Sequence, residues 1–252
     1  MNRNSISVTL SLLFYMTLFT SCSDENTKET YSLSFEKEYY ERPLIGAKNI
    51  MIRGGNRDYT VEVNDPDILE IKIDISSPIG MGNLQILPKQ KGETTVKVRD
   101  NITNDIVNLK IKIIDSYLNL ILGSHVQPPY KGNEELFLIN NESKSFYLCD
   151  GDLKLEHTGS YQFFTENNTP YMELTFQKEL EGRVIYKYDL SSTDELMFIG
   201  IKKLLDWDWY HSVKNATTKE VSPIIMNATD TETDKTYYFM AGTHDLPEHL
   251  LE

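Results

Sequence analysis

Leu69-Glu70-Ile71-Lys72-Ile73-Asp74-Ile75 alternates apolar and charged side chains without a break. Successive side chains leave a β-strand on opposite faces, so this stretch makes one apolar face and one wet face. Three neighbouring stretches repeat the pattern. Tyr59, Val61 and Val63 oppose Thr60 and Glu62; Thr94, Val96 and Val98 oppose Thr95, Lys97 and Arg99; Leu109, Ile111 and Ile113 oppose Lys110 and Lys112. One wet face per strand is the pattern of antiparallel sheets. Turn formers separate the runs: Gly54-Gly55-Asn56, Asp65-Pro66-Asp67, Gly80 with Gly82-Asn83, Lys91-Gly92, and the segment 101–105. Short strands at this spacing predict a sandwich.

After Asp115 the alternation persists but the composition shifts to aromatics, and residues 117–252 hold both tryptophans. Phe146 and Leu148 alternate with Tyr147 and Cys149; Met172, Leu174 and Phe176 oppose Glu173, Thr175 and Gln177; Val184, Tyr186 and Tyr188 oppose Ile185 and Lys187. Hairpin-like connections at 140–142, 150–152, 166–169 and 230–235 join them. Almost no 3.6-residue periodicity is visible. The expected fold class is all-β, with a sandwich over 31–115 and an antiparallel barrel or second sandwich over 117–252.

The chain has 252 residues, 25 Lys+Arg against 38 Asp+Glu, and a formal charge of −13. That balance lacks the basic footprint that a phosphate backbone requires, so no nucleic-acid partner is expected. With 40% hydrophobic and 11% aromatic residues, it is not the composition of a disordered chain.

The amino terminus reads as an address. Residues 1–21 carry Arg3 alone as a charge, and 6–19 form an apolar run too short for a comfortable membrane span. The run ends in Phe19-Thr20-Ser21-Cys22, which resembles the lipobox of bacterial lipoproteins, with Phe19 where Leu is usual. The resemblance implies cleavage before Cys22 and acylation of its thiol, an outer-membrane lipid anchor and a polar tether over 22–30. Cys22-Ser23-Asp24-Glu25 is similar to the export signal of surface lipoproteins in some Gram-negative anaerobes, which implies display on the cell exterior.

Two further resemblances follow the strands. Asp58-Tyr59-Thr60-Val61, Asp65-Pro66-Asp67-Ile68-Leu69 and Lys91-Gly92-Glu93-Thr94-Thr95-Val96-Lys97-Val98 together look like a bacterial Ig-like domain over 31–115, a family whose role is to space or present something else. Gly159-Ser160-Tyr161, the run 171–176, Tyr186-Lys187-Tyr188-Asp189-Leu190 and Asp194-Glu195-Leu196-Met197-Phe198 are similar in rhythm to lipocalin-like bacterial domains, implying a barrel mouth for a small apolar ligand.

Asp206-Trp207-Asp208-Trp209-Tyr210-His211 is the candidate ligand-binding segment. In a strand, Trp207 and Trp209 would share one face while Asp206, Asp208 and Tyr210 share the other. A sugar ring stacks on such aromatics and gives its hydroxyls to such carboxylates; the alternative is that the aromatic face packs into a core. Cys149, with His157 nearby in sequence, is a candidate nucleophile only on paper, and a structural thiol is the expected role. His125, His157, His211, His244 and His249 are too dispersed for a metal signature, and His244-Asp245 with Glu248-His249 is a weak cluster. Asp230, Glu232 and Asp234 mimic the start of a calcium loop, but Lys235 and Ala241 stand where Gly and Glu are needed, so a hairpin turn is expected. No nucleophile elbow, phosphate loop or dinucleotide fingerprint occurs, so no cofactor and no metal are expected. The leading expectation is non-enzymatic binding of a glycan or small apolar ligand by 117–252. The alternatives are a protein partner in the envelope, or a polysaccharide hydrolase with two carboxylates facing across a cleft.

Overall fold

The computed structural model describes residues 29–123, 128–178, 182–209 and 223–251. Cys22 with its lipobox, His125, Tyr210 and His211 lie outside the described residues. The first seven strands are β1 (Tyr39–Pro43), β2 (Ile50–Met51), β3 (Tyr59–Val63), β4 (Leu69–Asp74), β5 (Asn83–Pro88), β6 (Gly92–Asp100) and β7 (Ile106–Ile114). They pair as two sheets, β1-β7-β6-β3 and β2-β5-β4, with β1 parallel to β7 and every other pair antiparallel. Strands two, five and four in one sheet, and seven, six and three in the other, have the immunoglobulin-type Greek-key arrangement. The alternating residues face inward as expected. Leu69, Leu84, Val96, Val98, Leu109 and Ile111 are wholly buried between the sheets.

Only Asp115 and Ser116 separate β7 from the second unit, which comprises β8 (Tyr117–Leu122), β9 (Glu135–Ile139), β10 (Ser145–Cys149), β11 (Leu155–Glu166), β12 (Thr169–Lys178), β13 (Gly182–Asp189), helix α1 (Glu195–Leu205), β14 (Ile225–Asp230) and β15 (Thr236–Ala241). These eight strands form a closed barrel in which each pairs antiparallel with its sequence neighbour and β15 returns to β8. Of the two expected forms, barrel or second sandwich, the closed barrel is the one adopted. Eight strands enclose a space just wide enough for side chains to fill. Leu120, Leu136, Leu138, Phe146, Leu148, Met172, Leu174, Tyr188, Met226, Ala228 and Phe239 occupy it at 0% exposure, leaving no water-sized gap against them. Gly159 allows the close approach of β12: a Cβ there would lie 2.0 Å from the Thr175 carbonyl oxygen and 2.6 Å from the Phe146 ring.

Helix α1 takes in 195–198 of the lipocalin-like rhythm, in a sequence where almost no 3.6-residue periodicity is visible. Glu195-Leu196-Met197-Phe198-Ile199-Gly200-Ile201-Lys202-Lys203-Leu204-Leu205 buries Met197, Phe198, Ile201 and Leu205, one helical stripe, in the barrel core. Glu195 in the first turn and Lys202 and Lys203 in the last suit the helix dipole. The helix stops at Asp206, which is left-handed (φ 59°) and donates its amide to the Lys202 carbonyl. It closes the lower barrel end, where β7 leads into β8: Lys144, from the β9–β10 turn, donates its ammonium to the Leu205 carbonyl.

Candidate functional site

The barrel has two unlike ends. At the lower end the tryptophans of the candidate segment complete the plug. Trp207 stacks on Phe163 at 5.1 Å and Trp209 lies 4.7 Å from Phe198, both half-buried against the barrel core. Residues 206–209 are not a strand, because they unwind directly from the α1 C-terminus. The expected alternation nevertheless holds in this irregular segment: Trp207 and Trp209 pack, while Asp206 and Asp208 are exposed. Asp208 is engaged by the Lys202 ammonium at 2.6 Å. A ring face of each tryptophan is therefore already occupied by phenylalanine.

At the upper end the inner wall ends in His157, Val184 and Tyr186, each half-buried. Phe176 stands between them, 5.4 Å from Tyr186 and 6.0 Å from His157, edge to face. Into this end the segment 128–134 inserts Tyr130, whose ring meets Tyr237 at 5.2 Å and Phe239 at 5.6 Å. The Tyr130 hydroxyl shares a hydrogen bond of 3.2 Å with that of Tyr188. Burial pushes both phenols far above their ordinary range. Tyr237 donates to the Pro128 carbonyl at 2.6 Å, tying the segment to the rim.

The same segment is stitched by charge. Buried Glu134 accepts the Lys131 and Gly132 amides at 2.6 and 3.2 Å, and the Lys131 ammonium meets Glu156 at 2.6 Å. Burial raises the Glu134 pKa, its two amide bonds oppose that rise, and the adjoining Glu156 carboxyl adds to it. Oε1 of Glu134 and Oε2 of Glu156 are each buried without a hydrogen-bond partner.

The remaining chemical candidates are committed to structure. Regular alternation along β10 sends consecutive residues to opposite sides of the barrel wall. Leu148 enters the barrel core, while Cys149 is sealed outside it with Phe137, Ile139 and Leu246. Burial first, then Glu135, Asp150 and Glu156, push its thiol up to about 11, which leaves it without a thiolate to attack with.

The carboxyl-terminal histidines and acids form a clasp rather than a cluster. His244 bonds the buried Glu135 carboxylate at 2.7 Å, and Glu135 also accepts from Asn119 at 3.0 Å. Asp245 meets Lys48 at 2.8 Å and the buried Arg42 guanidinium at 3.4 Å. Glu248 pairs with Lys37, and His249 stacks on Tyr39 at 5.1 Å. The tail thus ties the barrel to the sandwich, and Leu246 donates its amide to the Tyr117 hydroxyl. Among the described residues no group of three or more His, Cys, Asp or Glu could hold a metal ion. Asp230 caps the expected β14–β15 turn, accepting the Glu232 and Thr233 amides.

Sequence reading missed the upper mouth because its members come from a loop and four strands, and only their inward parity on β11, β12 and β13 pointed there. No protein-family model matches the chain, and no curated protein or solved structure gives a match.

Proposed function

We propose that this chain is a lipid-anchored outer-membrane protein, held at Cys22 and facing the exterior, whose barrel captures a small apolar ligand bearing a ring and a polar group. The sandwich serves as its pedestal. One observation carries the reading: the barrel is plugged at one end by α1, Trp207 and Trp209, and ends at the other in half-buried His157, Val184 and Tyr186 around the inserted Tyr130. Apolar walls with a few convergent polar groups are the usual make-up of a small-ligand site. The half-buried Tyr186 hydroxyl and His157 ring supply those groups. A glycan at the tryptophan segment is the weaker form of the same reading, since Phe163 and Phe198 already cover the rings.

The test titrates the protein with the apolar fluorophore N-phenyl-1-naphthylamine and, separately, with cellobiose. Fluorophore emission should rise on binding, fall severalfold for Tyr186→Ala, and stay unchanged for Trp207→Phe. An unresponsive barrel, or a cellobiose-dependent change in tryptophan emission, would overturn the mouth as the site.

A protein partner is the second reading. Ile225, Met240 and Ile121 lie directly opposite one another across β14, β15 and β8 on the outer wall, a partly exposed apolar row. Met240→Glu should abolish association with such a partner and leave fluorophore binding intact.

A further inference from the structure

The sandwich has an end of its own that faces away from the barrel. The β2–β3, β4–β5 and β6–β7 loops gather there, since β7 starts at that end with Ile106 and delivers the chain to the barrel at Ile114. The amino-terminal segment meets the same end: Tyr31 and Asn56 exchange two hydrogen bonds, and the Leu33 amide donates to Asp105 at 3.2 Å. Exposed apolar side chains concentrate on these loops. Ile79 is 85% exposed, Tyr31 52%, Ile102 48% and Ile75 42%. The β4–β5 loop, Ile75-Ser76-Ser77-Pro78-Ile79-Gly80-Met81-Gly82, carries no charge in a chain of which a quarter is charged.

This loop is built rather than loose. The Arg57 guanidinium donates to the carbonyls of Ile75 at 2.6 Å and Ser77 at 2.7 Å, and to that of Gly80. Arg57 itself sits at φ 63°, a left-handed conformation that an L-residue rarely adopts. One side chain thus holds three carbonyls and presents Ile79 at the tip.

We infer that this end of the sandwich rests on the lipid bilayer, with Ile79, Ile75, Ile102 and Tyr31 seated in the outer leaflet's interface. The inference rests on anchoring at Cys22. Six residues, 23–28, lie between that anchor point and Glu29, so seven Cα-to-Cα steps join them. Fully extended they span at most about 25 Å. Strand β7 alone, at nine residues, is roughly 30 Å long. The tether is therefore too short to let the sandwich stand inverted, and it holds the apolar end toward the membrane. Isoleucines entering the headgroup boundary with a tyrosine at its level match the chemistry of interfacial contacts. The same orientation points the barrel outward.

The test couples the chain from Cys22 onward, through that thiol, to phosphatidylcholine vesicles doped with a maleimide-headed lipid. Buried Cys149 does not compete for the label. Amide exchange of 75–82 should slow on vesicles relative to the free protein, while the barrel strands stay unchanged. Ile79→Asp, at a site exposed enough to spare the fold, should remove that slowing. In the Ile79→Trp variant, lipids brominated near the headgroup should quench the added emission, with no comparable quenching in Ile185→Trp on the outer barrel wall. Absence of both effects overturns the inference. Slowing without quenching, growing with the density of tethered protein, also overturns it, because a second copy would then cover the loop. Chemical tethering keeps this result separate from the anchor itself, which fails if the Cys22 peptide from envelopes carries no acyl mass.

Discussion

The sandwich and the barrel solve the same packing problem with different side chains. The sandwich core is mainly aliphatic, built on Ile50, Leu69, Leu84, Val96, Val98, Leu109 and Ile111, with Tyr40 and Tyr59 as its buried rings. The barrel core carries Phe146, Phe176, Phe198, Phe239, Tyr130, Tyr161 and Tyr188. Two facing sheets lie about 10 Å apart, a gap that branched aliphatics fill from both sides. A barrel must be filled to its axis, which favours longer rings. Aromatic enrichment in the second half of the chain is therefore first a consequence of closure. The proposed ligand site would be an elaboration at the upper end, where His157, Val184 and Tyr186 are half-buried.

The largest expected effect tests that contrast. Phe146→Ala should cost about 3–5 kcal/mol, against about 0.5–1.5 kcal/mol for Ile111→Val in the sandwich, read from denaturant midpoints. Equal losses would break the comparison.

Next is the clasp, which belongs to both units. Leu246→Ala should cost about 2–3 kcal/mol and expose Cys149, so that a thiol reagent inert toward the folded protein modifies that residue within the native baseline. Protection of Cys149 in the variant would show that Ile114 and Leu250 cover it without the leucine.

A third prediction concerns buried acids. In the sandwich, Asp100 is wholly buried. Burial alone would raise its pKa, but the Ile102, Thr103 and Asn56 amides and the Asn56 side chain together hold it below the usual range. Asp100→Asn should cost about 1–3 kcal/mol, because those donors lose a charged acceptor.

The smallest effect sharpens the comparison through pH. A depressed Asp100 stabilises the fold in full above about pH 4, the ordinary aspartate value, and that stability is lost as pH falls through its lowered folded pKa. Glu134 at the barrel rim has the opposite sign: its raised pKa means that ionisation opposes folding, so stability is gained as pH falls through the raised value toward about 4.3. Thermal midpoints against pH should therefore rise less on mild acidification in Glu134→Gln than in the unsubstituted chain. Midpoints of Asp100→Asn should fall less below pH 4. The same slope in both variants would refute the assignment.

Strand faces were legible from residue order because period two leaves one answer for each face: Val96, Val98, Ile111, Leu174 and Tyr188 are all inside. Helix α1 was less legible, since its burial at Met197, Phe198, Ile201 and Leu205 is contributed by one barrel end that no local pattern announces. The candidate tryptophans were found, but not their situation. Their alternation reads alike in a strand and in an extended tail leaving a helix. Cys149 was ambiguous for another reason, because its outward face is also packed, by Phe137, Ile139 and Leu246.

The sequence by itself determined that the chain is all-β, that its first half is aliphatic and its second aromatic, and where strands change to turns. Those properties follow from local alternation and turn chemistry, which act over a few residues. The tertiary structure alone decided that the second half closes into a barrel, that one end is plugged by α1, and that the last residues clasp the two units together. Each of these depends on contacts between distant residues: Leu122 with Phe239, Lys144 with Leu205, Arg42 with Asp245. Such contacts form only after the strands have paired, when shear and side-chain volume set which surfaces meet.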